Sequence, residues 1–234
     1  MSDYAVLVVG ATGSVGRHVV AAALRNGYAT RALVRSASGA SDLPDGAEVV
    51  LGDLSNAATL DDAVKDVDGI VFTHGSHGGA TEAENVDYGA VRNTLQALAG
   101  RPARLALMTA IGVTKRGIGH DWKRRGERLV RASGCPYTIV RPGWFDYNAP
   151  DQYRLVMLQG DRRWASDPSD GVVSRAQIAQ VLVASLTSEA ADHKTLELVA
   201  EEGPAQADLE PLFAALDPDP RGSVDGVRDI ENMP

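Results

Sequence analysis

The residues best suited to chemistry come at the beginning of the chain. Val8-Val9-Gly10-Ala11-Thr12-Gly13-Ser14-Val15-Gly16-Arg17 sets three glycines at G-x-x-G-x-x-G spacing, after a short apolar run and at the start of an amphipathic stretch. Gly10 permits a tight turn, Gly13 lets the backbone approach a diphosphate with no Cβ in the way, and Gly16 lets the helix pack closely on the strand. Free amides at the helix start, among Thr12, Ser14 and Val15, then face the phosphates, where an anion gains roughly 0.3–1 kcal/mol from the helix dipole. The pattern predicts dinucleotide binding. Which dinucleotide depends on the end of the second apolar run, Ala32-Leu33-Val34-Arg35-Ser36. Arg35 offers a charged planar fork and Ser36 a hydroxyl to a 2′-phosphate, with no carboxylate there to repel it, so NADP(H) is expected over NAD(H). Arg17 either reaches the same phosphate or is a solvated surface charge. In Gly52-Asp53-Leu54 the Asp53 carboxylate either accepts the adenine amino group or, like Ser55, caps the next helix.

The elements that must position these residues follow from periodicity. Short, nearly continuous apolar runs predict strands near Ala5–Val9, Thr30–Val34, Glu48–Leu51, Ile70–Thr73, Arg104–Met108, Tyr137–Arg141 and Lys194–Val199. Amphipathic stretches at Ser14–Arg25, Ala57–Val64, Asn85–Leu98, Asp121–Ala132 and Arg175–Leu186 predict helices, the last capped by Ser174. The alternation predicts an α/β fold with a doubly wound parallel sheet of about seven strands. Residues 1–234 are read as a single domain, with 142–173 and 200–234 as substrate-side and tail segments. Ligands in such a sheet sit beyond the carboxyl ends of the strands, where the loops 36–47, 74–83, 110–120 and 142–173 are expected to gather. Asp217–Pro234, rich in Pro, Asp and Gly, is expected to wrap the surface or fray.

Composition narrows the function classes. The chain has 234 residues, 44% hydrophobic and 23% charged, which suffices for one sizeable core. A net charge of −8 argues against nucleic-acid binding by counterion release. No apolar stretch reaches the roughly 20 residues of a membrane span, and the N-terminus lacks a signal-peptide pattern, so no membrane association and a cytoplasmic location are expected. Cys135 is the single cysteine, so neither an internal disulfide nor a cysteine zinc cluster can form. His74, His77, His120 and His193 do not fall at metal-ligand spacing, and no metal is expected. Glu82, Glu84, Asp61 and Asp62 read as helix-start charges. Aromatic and soft apolar residues, scarce elsewhere, gather at Trp144, Phe145, Tyr147, Tyr153 and Met157, and predict the roof of a pocket between residues 144 and 160.

The GATGSVG motif, the LVR end of the second strand, GDL, the run Trp122-Lys123-Arg124-Arg125-Gly126-Glu127 and the segment Ser133-Gly134-Cys135-Pro136-Tyr137-Thr138-Ile139-Val140-Arg141-Pro142-Gly143 together resemble the atypical short-chain dehydrogenase/reductases. The resemblance covers about residues 4–200 and is strongest to the NmrA-like and biliverdin reductase B-like branch, often labelled NAD-dependent epimerase/dehydratase. It implies a Rossmann fold with NADP across the strand edge. It also implies that His74-Gly75-Ser76 border the cofactor and that Pro142-Gly143-Trp144-Phe145 border the nicotinamide. Most short-chain dehydrogenases use a Ser after the fifth strand and a Tyr-x-x-x-Lys, the lysine lowering the pKa of the tyrosine and holding the ribose. Aligned on Trp122, the lysine is Lys123, but Gly119 stands at the tyrosine position. Ala110 stands at the serine position, leaving Thr109 as the adjacent hydroxyl. Lys123 and Thr109 are the catalytic candidates; Lys123 equally fits a solvated basic run with Arg124 and Arg125. His120 and Tyr147 are alternative proton sources.

Hydride transfer does not require the tyrosine, because the reactive carbon belongs to the cofactor. The leading expectation is an NADPH-dependent reductase of a small planar or carbonyl substrate, monomeric or homodimeric. A second reading is an NADP(H) redox-sensing protein that signals to a regulatory protein partner. A third, a nucleotide-sugar epimerase or dehydratase, is opposed by the missing tyrosine and the short C-terminal region.

Overall fold

The computed structural model describes residues 4–76 and 78–229; His77, from the histidine set above, and the last five residues of the tail lie outside them. Strands β1 (Ala5–Val9), β2 (Ala29–Val34), β3 (Glu48–Leu51), β4 (Gly69–Phe72), β5 (Arg104–Met108) and β6 (Tyr137–Pro142) alternate with helices α1 (Gly16–Arg25), α2 (Ala80–Ala83), α3 (Gly89–Leu98) and α4 (Ile118–Ala132). Then come β7 (Trp144–Phe145), β8 (Arg154–Leu158), β9 (Val172–Val173), α5 (Arg175–Ser185), β10 (Lys194–Glu201) and α6 (Glu210–Ala214). The main sheet runs β3-β2-β1-β4-β5-β6-β10-β8, a Rossmann order that reverses direction between β1 and β4. All pairings in it are parallel except β10 with β8.

The sheet has eight strands, one more than the periodicity predicts. The addition, β8, lies inside what the sequence presents as a loop. Its residues face partly into solvent at the sheet edge, so it lacks the continuous apolar run that marks the buried strands. It pairs antiparallel with β10, Leu198 opposite Met157.

Alternation along each buried strand divides the core in two. Val6, Val8, Ala106 and Met108 face the layer formed by α1, α5 and α6, while Leu7, Val9, Leu105 and Leu107 face α3 and α4. Helix starts follow local chemistry. Ser174 caps α5 in a capping box, its Oγ accepting the Gln177 amide and Gln177 Oε1 accepting the Ser174 amide. Helix α4 begins three residues before the expected Asp121, whose carboxylate accepts the Gly117 amide. The expected helix Ala57–Val64 is a single 3₁₀ turn, Ala57–Thr59, after which turns carry Leu60, Ala63 and Val64 into the core. Between α2 and α3 the chain makes a π-helical turn, Glu84–Tyr88, that buries Asp87. Such turns re-aim side chains and are frequent at functional sites.

Of the two expectations for the tail, its described part does not fray. As far as Asp229 it is anchored by acids that reach α4 and β6: Asp219 accepts from Arg131, Asp225 from Arg124 and Arg128, and Asp229 from Arg141. No helix among the described residues is long and apolar enough to cross a membrane.

Candidate functional site

At the carboxyl edge of β1 the chain turns at Gly10, whose φ of +84° suits glycine. A Cβ there would lie 2.8 Å from the His74 amide nitrogen, and one on Gly16 would collide with the Gly10 carbonyl oxygen. The bend is thus built around missing side chains. Among the described residues the amides of Ser14 and Val15 have no acceptor within the protein, and they sit at the start of α1. A cradle of free N–H groups at a helix start fits a diphosphate.

This cradle opens into a cavity of about 640 Å³ lined by Gly10, Thr12, Gly13, Ser14, Val15, Arg35, Asp53, Leu54, His74 and Gly75, with Phe145 at its far side. Gly16 supports it from behind, and Ser36 lies beside it without lining it, bonded to the Ser38 hydroxyl. Arg35 is exposed at the end of β2 and makes no ion pair among the described residues, whereas Arg17 pairs with Asp42 at 3.6 Å. The 3₁₀ turn that follows is capped by Asn56, whose Oδ1 accepts the Ala58 amide, and not by Asp53. Asp53 lines the cavity and accepts the Ser55 amide at 2.9 Å; bonds from the Ser55 amide and hydroxyl hold its pKa below the usual carboxylate range, helped by the charge of Arg35.

The loop after β4 is held by a residue that no motif announces. Asp87 accepts the Ser76 amide at 3.1 Å and the Ser76 hydroxyl at 2.6 Å, and it pairs with Lys123. Lys123 therefore stands beside Gly75, a Cβ on which would lie 3.8 Å from its Nζ. His74 is lowered to about 4 by burial, against the charge of Asp87, so its imidazole is neutral at pH 7. Thr109 points away from the cleft and donates at 2.7 Å to the buried Glu127. Neither Thr109 nor Lys123 lines this cavity or the neighbouring aromatic one; Thr109 is engaged with Glu127 and Lys123 with Asp87.

A second cavity, about 510 Å³, adjoins the first at Phe145. Pro142, Gly143, Trp144, Tyr147 and Trp164 form its apolar walls, and Lys115, His120, Asp170 and Arg175 its polar ones. Trp144 meets Tyr147 edge to face with ring centroids 6.0 Å apart. Two buried acids pin its loops. Asp161 accepts the amides of Gly112 and Thr114 at 2.6 and 2.7 Å, and Asp170 those of Ala165 and Ser166 at 2.8 and 2.7 Å. Trp164, Asp161 and Asp170 are missed by sequence reading. They lie in a stretch without periodicity, and a buried acid bonding loop amides has no spacing signature.

Beneath both cavities lies a charged core. The Glu127 carboxylate accepts from Arg141 Nε at 2.9 Å, Arg141 Nη2 at 2.6 Å, Arg131 at 3.2 Å and Thr109. Burial alone would raise its pKa, but Arg141 and Arg131 overcome that and hold it at about 2. Arg141 also faces Glu197 and Asp229. Three carboxylates around one guanidinium cannot all stay charged cheaply, and burial together with Asp161 pushes Glu197 up to about 8 despite Arg141.

Relatives carry the same scaffold. Protein TIC 62 of pea chloroplasts is 27% identical over 85% of this chain, which spans only 43% of that longer protein. Sanguinarine reductase of Eschscholzia californica is 24% identical over 80% of this chain and 86% of its own length. Among solved structures, the Escherichia coli NADPH-dependent quinone oxidoreductase complexed with NADPH has a TM-score of 0.64 at 21% identity, covering 84% of this chain and 70% of its own. A family model described as NAD(P)H-binding matches residues 10–189, so this Rossmann protein belongs to the NAD(P)H-binding family.

Proposed function

We propose that the protein is an NADPH-dependent reductase of a small planar or carbonyl acceptor. The observation that carries this reading is the meeting of a nucleotide cleft and an aromatic-walled pocket at a single residue, Phe145. In this reading the Gly10–Gly16 bend holds the diphosphate with Thr12, Ser14 and Val15. Arg35 and Ser36 take the 2′-phosphate, Asp53 and Leu54 the adenine side, and His74, Gly75 and Ser76 the middle of the coenzyme. Pro142, Gly143, Trp144 and Phe145 border the reactive ring and shield it from water. The bound coenzyme supplies the hydride, and the chain contributes orientation and a dry pocket. With Gly119 and Ala110 where a phenol and a hydroxyl would serve, Lys123 acts through its charge, fixed by Asp87, and Thr109 acts by orienting Glu127. Two proteins similar to this chain are named as a reductase, sanguinarine reductase, and as an NADPH-dependent quinone oxidoreductase, which supports the reaction class. The test is oxidation of NADPH, followed by absorbance, against a panel of quinones, flavins, iminium alkaloids and aldehydes. Turnover with at least one acceptor and preference for NADPH over NADH are expected; no oxidation with any acceptor overturns the reading.

A further inference from the structure

The polar atoms around the aromatic pocket are unbalanced in one direction. Lys115 donates to the Trp164 carbonyl at 3.0 Å and to the Ser166 hydroxyl at 3.4 Å, both neutral, and makes no ion pair among the described residues. Among the described residues Asp170 is the one carboxylate lining the pocket, and both its oxygens accept loop amides. Arg175 pairs with Asp146 through one terminal nitrogen and lies over the Phe145 ring, 5.3 Å from its centroid. Its Nε is buried with no acceptor, as is the indole Nε1 of Trp164. Two buried donors on pocket-lining residues, Arg175 Nε and Trp164 Nε1, thus have no acceptor, and the exposed Lys115 ammonium at the rim has no carboxylate partner among the described residues. Groups of that kind are complementary to an anion. The aromatic residues lining the same pocket, Trp144, Phe145 and Tyr147, offer faces and edges suited to a flat ring.

We propose that this pocket selects planar acceptors that carry an anionic substituent, with Lys115 as the residue that reads the charge and Arg175 and Trp164 as its neighbours. The proposal rests on the reductase reading for calling the ligand an acceptor, but the recognition itself is a binding property of the pocket.

The experiment is calorimetric titration of the full chain with 2-naphthoate and with its neutral isostere 2-naphthamide, each with and without saturating NADP⁺. Naphthoate is expected to bind at least 10-fold more tightly, the preference shrinking as sodium chloride is raised. Lys115→Met is expected to reduce the preference to 3-fold or less while naphthamide affinity stays within 2-fold. Lys115→Arg is expected to keep it, and thermal melts of both variants check folding. Equal affinity for the two probes, no binding of either at 5 mM, or a preference untouched by Lys115→Met overturns the proposal. So does loss of naphthoate binding when NADP⁺ is added, since that places the probe in the nucleotide cleft. If the charge preference behaves as expected but no acceptor oxidises NADPH, the anion pocket stands and the reductase reading falls.

Discussion

Replacing Glu127 by Gln removes a charge that two buried guanidiniums share. Its pKa falls from 4.5 to about 2 in the folded protein. At 1.36 kcal/mol per unit that shift corresponds to about 3 kcal/mol of stability at neutral pH. Removing one partner of a buried pair costs about 3–5 kcal/mol, the same scale. Arg141 keeps Asp229 and Arg131 keeps Asp219, which places the expected loss at the lower end. For a chain of this size, about 3 kcal/mol lowers Tm by about 6–12 °C. The pH dependence carries the sign. A carboxylate with a depressed folded pKa stabilises above its unfolded pKa of 4.5, and this contribution is lost as pH falls through about 2. Circular-dichroism melts of wild type and Glu127→Gln at pH 7, 4 and 2.5 should therefore show a gap that narrows with acid. A gap under about 2 °C at pH 7, or one that stays constant down to pH 2.5, would refute the reasoning.

Arg35→Ala is expected to weaken NADPH binding by about 1–3 kcal/mol, the range of a charge-assisted hydrogen bond, with little effect on NADH; equal losses in calorimetry count against Arg35 as the reader of the 2′-phosphate. Gly16→Ala forces a Cβ against the Gly10 carbonyl oxygen and should cost about 1–3 kcal/mol in urea unfolding, together with the nucleotide site; an unchanged urea midpoint and nucleotide affinity would show that the bend can relax. Glu197 is the mirror of Glu127. Its folded pKa of about 8 lies above the 4.5 of the unfolded chain, so its contribution is present below pH 4.5 and lost as pH rises through 8. Glu197→Gln, which mimics the protonated acid, should flatten the decline in Tm between pH 6 and 9, and parallel wild-type and variant profiles would show that Glu197 is already ionised at neutral pH.

The glycine bend, the buried parallel strands and Arg35 were legible because each has a one-dimensional signature: a spacing, an apolar run, a residue at a strand end. The second cavity was half legible. Trp144, Phe145 and Tyr147 stand out in an aromatic-poor chain and line it, but Tyr153 and Met157, expected beside them, do not, while Trp164 and Lys115 reach the same space from loops with no period. Lys123 was found by alignment, but the partner that fixes it, Asp87, depends on a π-helical turn that sequence periodicity does not register. Glu127 was visible only as the end of a basic run. It meets Arg141 of β6, which in turn meets Asp229 across 88 positions of sequence, and no local rule anticipates such pairing. The edge strand β8 escaped for a simpler reason, since half of its surface is wet.

The acids of residues 219–229 have a kinetic corollary. Synthesis on the ribosome runs from the amino end, so the nucleotide half of the sheet and β6 leave the exit tunnel well before these counter-charges do. Until Asp229 emerges, the guanidinium of Arg141, fully buried in the finished protein, lacks one of its carboxylate partners. Nascent chains arrested before that point should therefore be protease-sensitive around α4 and β6, and emergence of residues 219–229 should act as the latch that closes the fold.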